Sequence, residues 1–425
     1  MGPRLTAWLR TAPSWAQSAY AIAAAFTAYF CMYGFRKPYT VARFEGQSVG
    51  DIDLKIALLL GQVFGYALSK FLGVKWVSEL PGSRRAIALV GLIGIAELSL
   101  LAFGWLPAGG KVVAMFCNGL PLGAVWGLVF GFLEGRRTSE ILGAGLSTSY
   151  IVASGGVKSV GSWLLGRGLS EAWMPFVSGL VFLGPFLLAV WLLQRLPPPT
   201  AEDIAARTVR RPMDGPQRRA FFGRFAVGLV ALTGLYTLLT AYRGFRDDFA
   251  AEIWAELGWA DEPAIFTLTE IPVALAVMTG LALLYRITDN RRAFFVVHAM
   301  MAAGTVLVGL ATWAFAAGAI GAIAWMTSVG VGLYLAYVPY GCVLFDRLIA
   351  YTGAAGTAVF MIYVTDAFGY AGQIAVLLYK NFGEADLSWV SFFTGFSYVT
   401  AIVCTASFAV SAWYFARRVE PDSRP

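Results

Sequence analysis

The chain has 425 residues, 58% hydrophobic and only 13% charged, with a net charge of +7 and a mean hydropathy of +0.67. Soluble domains average roughly 45–50% apolar and about 25% charged residues, so a soluble globular enzyme is excluded, as are a disordered and a collagen-like chain. The apolar residues fall in long runs that reach the roughly 20 residues a transmembrane helix needs, without the alternation of an outer-membrane barrel.

These runs predict an all-α membrane protein with twelve helical spans. In chain order they lie at about 14–35, 55–74, 86–106, 112–133, 141–165, 173–194, 221–243, 263–286, 293–315, 318–343, 350–379 and 388–415. The N-terminal MGPRLTAWLR offers no cleavage site, so the first span is expected to be retained. An even number of spans puts both termini on one side. That side, with the loops following spans two, four, six, eight and ten, carries 21 of the 32 Lys and Arg, against nine on the opposite side. The positive-inside rule then predicts cytoplasmic termini in a bacterial inner membrane, and it accounts for the basic net charge without nucleic acid. The proline-rich, basic stretch 196–220 reads as a solvated cytoplasmic linker. It separates an N-terminal half, 1–195, from a C-terminal half, 221–425.

The halves repeat. Gly34-Phe35-Arg36 closes span one and Gly244-Phe245-Arg246 closes span seven. Arg84-Arg85 opens span three and Arg291-Arg292 opens span nine. Arg137 with Gly143 matches Arg347 with Gly353. The offsets are 210, 207 and 210 residues. A six-plus-six parallel repeat is the plan of the major facilitator fold, with a substrate site expected between the halves near the midplane.

Charges within a bilayer are costly and therefore mark function. Here they are Arg36, Lys37, Lys70, Glu97, Glu134, Lys158, Arg243, Arg246, Glu270 and Asp366. Several lie on polar stripes at helical spacing: Tyr29, Tyr33 and Arg36 or Lys37; Gln62, Tyr66 and Lys70; Tyr150, Ser154 and Lys158; Tyr363, Asp366, Tyr370 and Gln373. Stripes of this kind are expected to face a shared cavity, and some of their groups to bond only between helices. The alternative for Arg36 and Lys37 is a place at the outer surface, with Pro38 ending the helix. The expected cavity is cationic, which calls for an anion. Arg offers a planar fork for phosphate or carboxylate, and Lys a point charge.

Cys31, Cys117, Cys342 and Cys404 all fall in apolar runs and are expected to be buried and reduced. They lack metal-ligand spacing, and His298 is the sole histidine, so neither a metal nor a cofactor is expected. There is no nucleophile elbow, HExxH motif or P-loop, which argues against an enzyme and against ATP-driven transport by this chain.

Tyr33-Gly34-Phe35-Arg36-Lys37 resembles the first-helix Arg-Lys signature of the organophosphate:phosphate antiporters, a major facilitator branch. Ser69-Lys70-Phe71, Gly73, Ser78-Glu79 and Arg84-Arg85 are similar to that branch's second helix and loop 2–3. The run from Asn118, NGLPLGAVWG, resembles its fourth helix, and RITDNRR, Arg286 to Arg292, the second-half loop signature. The likeness is good over about 165 residues and weak beyond. Glu79 replaces the usual Asp, Leu80-Pro81-Gly82 resembles an insertion, Lys158 is not a feature of the branch, and its fourth-helix prolines are missing. YFCMYGFRKPYT and LPPPTAEDIA also resemble an uncharacterised bacterial membrane family of unknown function related to the branch.

The resemblance implies alternating access. Arg36 and either Arg246 or Arg243 would bind an anionic group, with Tyr33, Tyr66, Lys37, Lys70 and Lys158 around it. Glu79, Arg84, Arg85, Asp289 and Arg291 would form a cytoplasmic gate. The function expected is secondary transport of a small organic or phosphorylated anion, in exchange for inorganic phosphate, by a monomer. The alternatives are a proton-coupled symporter using Asp366 or Glu270, and a non-transporting receptor on the same fold.

Overall fold

The computed structural model describes residues 2–133, 139–198, 215–352, 358–384 and 386–418. Glu134, Arg136, Arg137, Gly353 and the bulk of the 196–220 linker lie outside these residues, as do the side chains of Glu79 and Tyr363. The described chain is overwhelmingly helical.

The N-terminal stretch forms α1 (Gly2–Thr11) and α2 (Ser14–Gly34), then a two-stranded antiparallel hairpin of β1 (Ser48–Val49) and β2 (Ile52–Asp53). The hairpin turn puts Gly50 at φ +61° in the first central position, the place where a two-residue turn calls for glycine. Next come α3 (Leu54–Glu79), α4 (Arg85–Trp105), α5 (Ala108–Gly131), α6 (Ser139–Gly166) and α7 (Met174–Leu193). After the linker follow α8 (Gly215–Asp248), α9 (Ala250–Glu256), α10 (Ile265–Leu284), α11 (Asn290–Ala316) and α12 (Ala322–Pro339). A π-helical turn, Tyr340–Leu344, leads from α12 into α13 (Phe345–Thr352), and α14 (Ala358–Phe382) and α15 (Trp389–Arg418) complete the chain. Pro339, at the end of α12, cannot supply its backbone N–H, which fits the change of helical register there.

Among the described residues, eight helical stretches are long and apolar enough to cross a membrane. The long helices outside that set are α2, α3, α6 and α14. These four carry the polar stripes seen in the sequence.

The chain divides into two compact units. The first comprises Met1–Arg207, Asp248–Leu268 and Asn381–Gly383. Within it α3 packs closely on α5, α4 on α5 and α7, and α2 on α6 and α7. The α3–α5 contact depends on glycine: a Cβ on Gly65 would overlap the Phe116 carbonyl oxygen, and one on Gly119 the Gln62 carbonyl oxygen. The second unit comprises Thr208–Asp247, Thr269–Lys380 and Glu384–Pro425. Here α11 packs on α12, α13 and α15. Tyr242 of α8 stacks on Phe393 of α15, at 5.1 Å between ring centres, and Phe245 lies 4.8 Å from Phe392.

Large apolar side chains point outward along both units, among them Ile87, Leu98, Trp105, Leu275 and Ile402. An apolar exterior of this kind is the surface a bilayer covers. It also corrects the reading of the cysteines. All four are free thiols, but only Cys31 and Cys404 are buried; Cys117 is exposed and Cys342 half-buried. An apolar run in a membrane helix has an outward face as well as an inward one, so hydropathy does not imply burial.

Candidate functional site

In the first unit the candidate site is built on the end of α2. The helix stops at Gly34, and Pro38 opens a 3-10 turn over Pro38–Val41. The carbonyls of Phe35 and Arg36, past the helix end, need donors from elsewhere. Asn118 of α5 donates from Nδ2 to the Phe35 oxygen at 3.0 Å and to the Ala96 oxygen at 3.1 Å. Gln62 of α3 donates from Nε2 to the Arg36 oxygen at 3.0 Å and to Asn118 Oδ1 at 2.8 Å. Tyr39 donates to Gln62 Oε1 at 3.2 Å. This buried amide network fixes the backbone of Arg36 from two neighbouring helices.

The Arg36 side chain turns onto the aromatic stripe. Its guanidinium carbon lies 4.0 Å from the centre of the Tyr66 ring and 5.8 Å from that of Tyr33. Lys70 Nζ approaches the same Tyr66 ring at 5.7 Å. The i, i+4 spacing of Tyr66 and Lys70 on α3 thus meets the Tyr33–Arg36 stripe, and the structure brings Arg36, Tyr33, Tyr66 and Lys70 together. Arg36 is half-buried and Lys37 buried, so neither lies on an exposed outer surface.

Lys37 turns elsewhere. Its ammonium pairs with Asp248 at 2.5 Å, with both side chains buried. Lys55, at the start of the second expected span, is also buried. It pairs with Glu252 of α9 and donates to the Thr40 carbonyl at 2.6 Å. Burial pushes the Glu252 carboxyl above its ordinary range, and the Lys55 ammonium beside it pulls the other way. Lys158 is buried on α6, one turn from the equally buried Ser154, while its neighbour Ser159 bonds to Thr267 at 2.7 Å.

In the second unit the two candidate arginines separate. Arg246 is buried and donates to Glu270 at 2.7 Å and to the Met326 carbonyl at 3.0 Å. Gly330 makes room for it, since a Cβ there would lie 2.7 Å from Arg246 Nη2. Glu270 is thus the ion-pair partner of Arg246. Arg243 instead lies over the Tyr337 ring, at 4.8 Å from its centre. Tyr337 stacks on Tyr236 at 5.2 Å, and the two hydroxyls are 3.0 Å apart. Tyr236 in turn donates to Asp366 at 2.9 Å. Arg243, Tyr337, Tyr236 and Asp366 therefore form one polar cluster drawn from α8, α12 and α14.

The gate candidates have local roles in what is described. Arg85 donates to the Gly131 carbonyl at the end of α5, and Arg84 is exposed. Asp289 caps α11, accepting from the Arg292 backbone N–H at 2.6 Å. Arg291 is exposed, and Arg347 reaches Asn290 at 2.7 Å. His298 lies between Phe294 and Phe408, its two nitrogens bonded to the Phe294 carbonyl and Ser411, a structural setting.

Sequence reasoning missed Asp248, Glu252, Tyr236 and Tyr337, and missed the positioning part of Asn118. Only Asp248 left a trace, as an acidic residue directly after the Arg246-Asp247 pair at the close of span seven.

The model of a family of unknown function, DUF5690, matches residues 38–418. No curated protein matches the sequence. Among solved structures, a bacterial homologue of the human lysosomal transporter Spinster aligns with a TM-score of 0.61 at 12% identity, over 97% of this chain and 100% of that one. The POT family transporter PepTSo aligns with a TM-score of 0.60 at 16% identity, over 95% and 99%. A D-xylose–proton symporter gives 0.59 at 14%, over 96% and 98%. Identities this low show the fold alone. The fold is the one shared by these transporters, and the chain is a multi-pass helical membrane protein.

Proposed function

The chain belongs to the DUF5690 family of unknown function, and we propose that it is a twelve-span secondary transporter of a small organic or phosphorylated anion, working by alternating access. Arg36 in the first unit and Arg243 in the second are the anion-recognising cations, assisted by Lys70, Tyr33, Tyr66 and Tyr337. One observation carries this reading. The guanidinium of Arg36 lies on the faces of Tyr66 and Tyr33, and Lys70 approaches the same Tyr66 ring, so one stripe gathers two cations and two tyrosines. A guanidinium offers a planar fork and an ammonium a point charge, the donors that suit a phosphate or carboxylate. In the second unit Arg243 lies likewise on a tyrosine face, that of Tyr337.

The likeness of the first 165 residues to the organophosphate:phosphate antiporters supports phosphate as the exchange partner. The test is uptake of labelled phosphate by proteoliposomes preloaded with inorganic phosphate. Uptake that requires internal phosphate, and is lost in Arg36→Ala, supports the reading. Wild-type uptake by Arg36→Ala overturns the assignment of that residue, and folded protein without exchange overturns the substrate class. Proton-coupled symport is the second reading, resting on Asp366 in the Arg243 cluster. Uptake driven by a pH gradient into phosphate-free vesicles, and lost in Asp366→Asn, favours it.

A further inference from the structure

Glu97 sits in the middle of α4 and takes no part in the candidate site. It is only 7% exposed. Both carboxyl oxygens are buried, and among the described residues neither has a hydrogen-bond partner. The carboxyl lies directly on the backbone of α7 at Gly179, where a Cβ would overlap Oε2. Even alanine at position 179 would displace it.

The helices around Glu97 offer no counter-charge. Apart from Glu97, the titratable residues of α4 and α5 are Arg85, Lys111 and Cys117, and α7 has none. Arg85 is bonded to Gly131. Lys111 donates to the carbonyls of Phe103 and Leu106, at the far end of α4. Asn118, the polar side chain of α5 that reaches α4, gives its amide hydrogens to Phe35 and Ala96. Among the described residues, neither oxygen of the Glu97 carboxyl meets a hydrogen-bond donor, charged or neutral.

A carboxylate removed from water without donor or counter-charge is among the most costly groups a folded chain can hold, whereas the neutral acid is not. We propose that Glu97 is a proton-binding site of the first unit: a neutral carboxylic acid while α4 lies on Gly179, ionising only when that contact opens to water. Packing of α4 on α7 is then linked to proton uptake, and separation of the two helices to proton release. Rising pH weakens the packed form, because the opened form gives up the proton that the packed form keeps. This inference does not depend on which solute the protein carries.

The test is infrared spectroscopy of the purified protein in lipid at neutral pH, where ordinary glutamates, with reference values of about 4.3, are ionised. The wild type should show a neutral-carboxyl C=O band that disappears completely in Glu97→Gln and persists in Glu270→Gln. In Gly179→Ala, which keeps the carboxyl but displaces it, the band should shift or vanish. Melting of the wild type should fall from neutral to alkaline pH more steeply than that of Glu97→Gln. No such band in the wild type, or one unchanged in Glu97→Gln, overturns the proposal. If Glu97→Gln does not assemble, a band at the same position in the wild type and Gly179→Ala overturns it equally.

Discussion

Arg36 and Arg246 hold equivalent places in the sequence repeat, each closing a Gly-Phe-Arg triplet, yet their side chains have different occupations. Arg36 lies on tyrosine faces, while Arg246 neutralises a buried glutamate. Their substitutions should therefore fail differently. Arg36→Ala should abolish solute uptake and leave thermal melting near wild type, and Arg36→Lys should not rescue uptake, because an ammonium lacks the planar fork. Arg246→Ala should leave Glu270 buried without its cation and lower stability by about 3–5 kcal/mol. Arg246→Met combined with Glu270→Leu should recover much of that loss, since a buried pair replaced by apolar groups is often neutral. Melting in detergent separates the two cases. An Arg246→Ala protein that melts like wild type would show that the pair does not hold the helices together.

At the scale of elements, the polar stripes of α2, α3, α6 and α14 were legible in the sequence. Tyr33 with Arg36, and Tyr66 with Lys70, are spaced so that one helix face carries both, and the structure brings the two faces together. What was not legible depends on contacts across long separations. Asp248 meets Lys37 from 211 residues away and Glu252 meets Lys55 from 197 residues away, and no local period encodes such pairs. The hairpin at 48–53 is too short to leave an alternating pattern. The same limit applies to glycine, since its spacing does not say which glycines face a neighbouring backbone. The structure does. Gly119→Ala, which would press against the Gln62 carbonyl, should destabilise by about 1–3 kcal/mol. Gly94→Ala on α4 meets nothing within 4 Å and should be neutral or stabilising by up to about 1 kcal/mol. Equal melting of the two variants would argue against close α3–α5 packing.

For the whole molecule, charge distribution makes a prediction that the fold alone does not. Translocating a basic loop is disfavoured, so the side rich in Lys and Arg stays in the cytoplasm. The 21-to-9 asymmetry assigns that side to both termini and the linker, and the opposite side to the hairpin and to α9 with its buried Glu252. Two exposed positions test it, Arg4 on α1 and Gln47 just before the hairpin. In a background with the four native cysteines replaced, Gln47→Cys should react with a membrane-impermeant maleimide in intact cells. Arg4→Cys should react only after the membrane is opened. The reverse pattern would invert the topology and place the Lys37–Asp248 and Lys55–Glu252 pairs on the cytoplasmic side. Labelling of both positions in intact cells would mean an even number of crossings between them, contradicting a single span over α2. The orientation also bears on how the buried pairs are maintained. On the outer side, Lys55 and Glu252 would face a medium of variable ionic strength, and burial is what shields such a pair from salt.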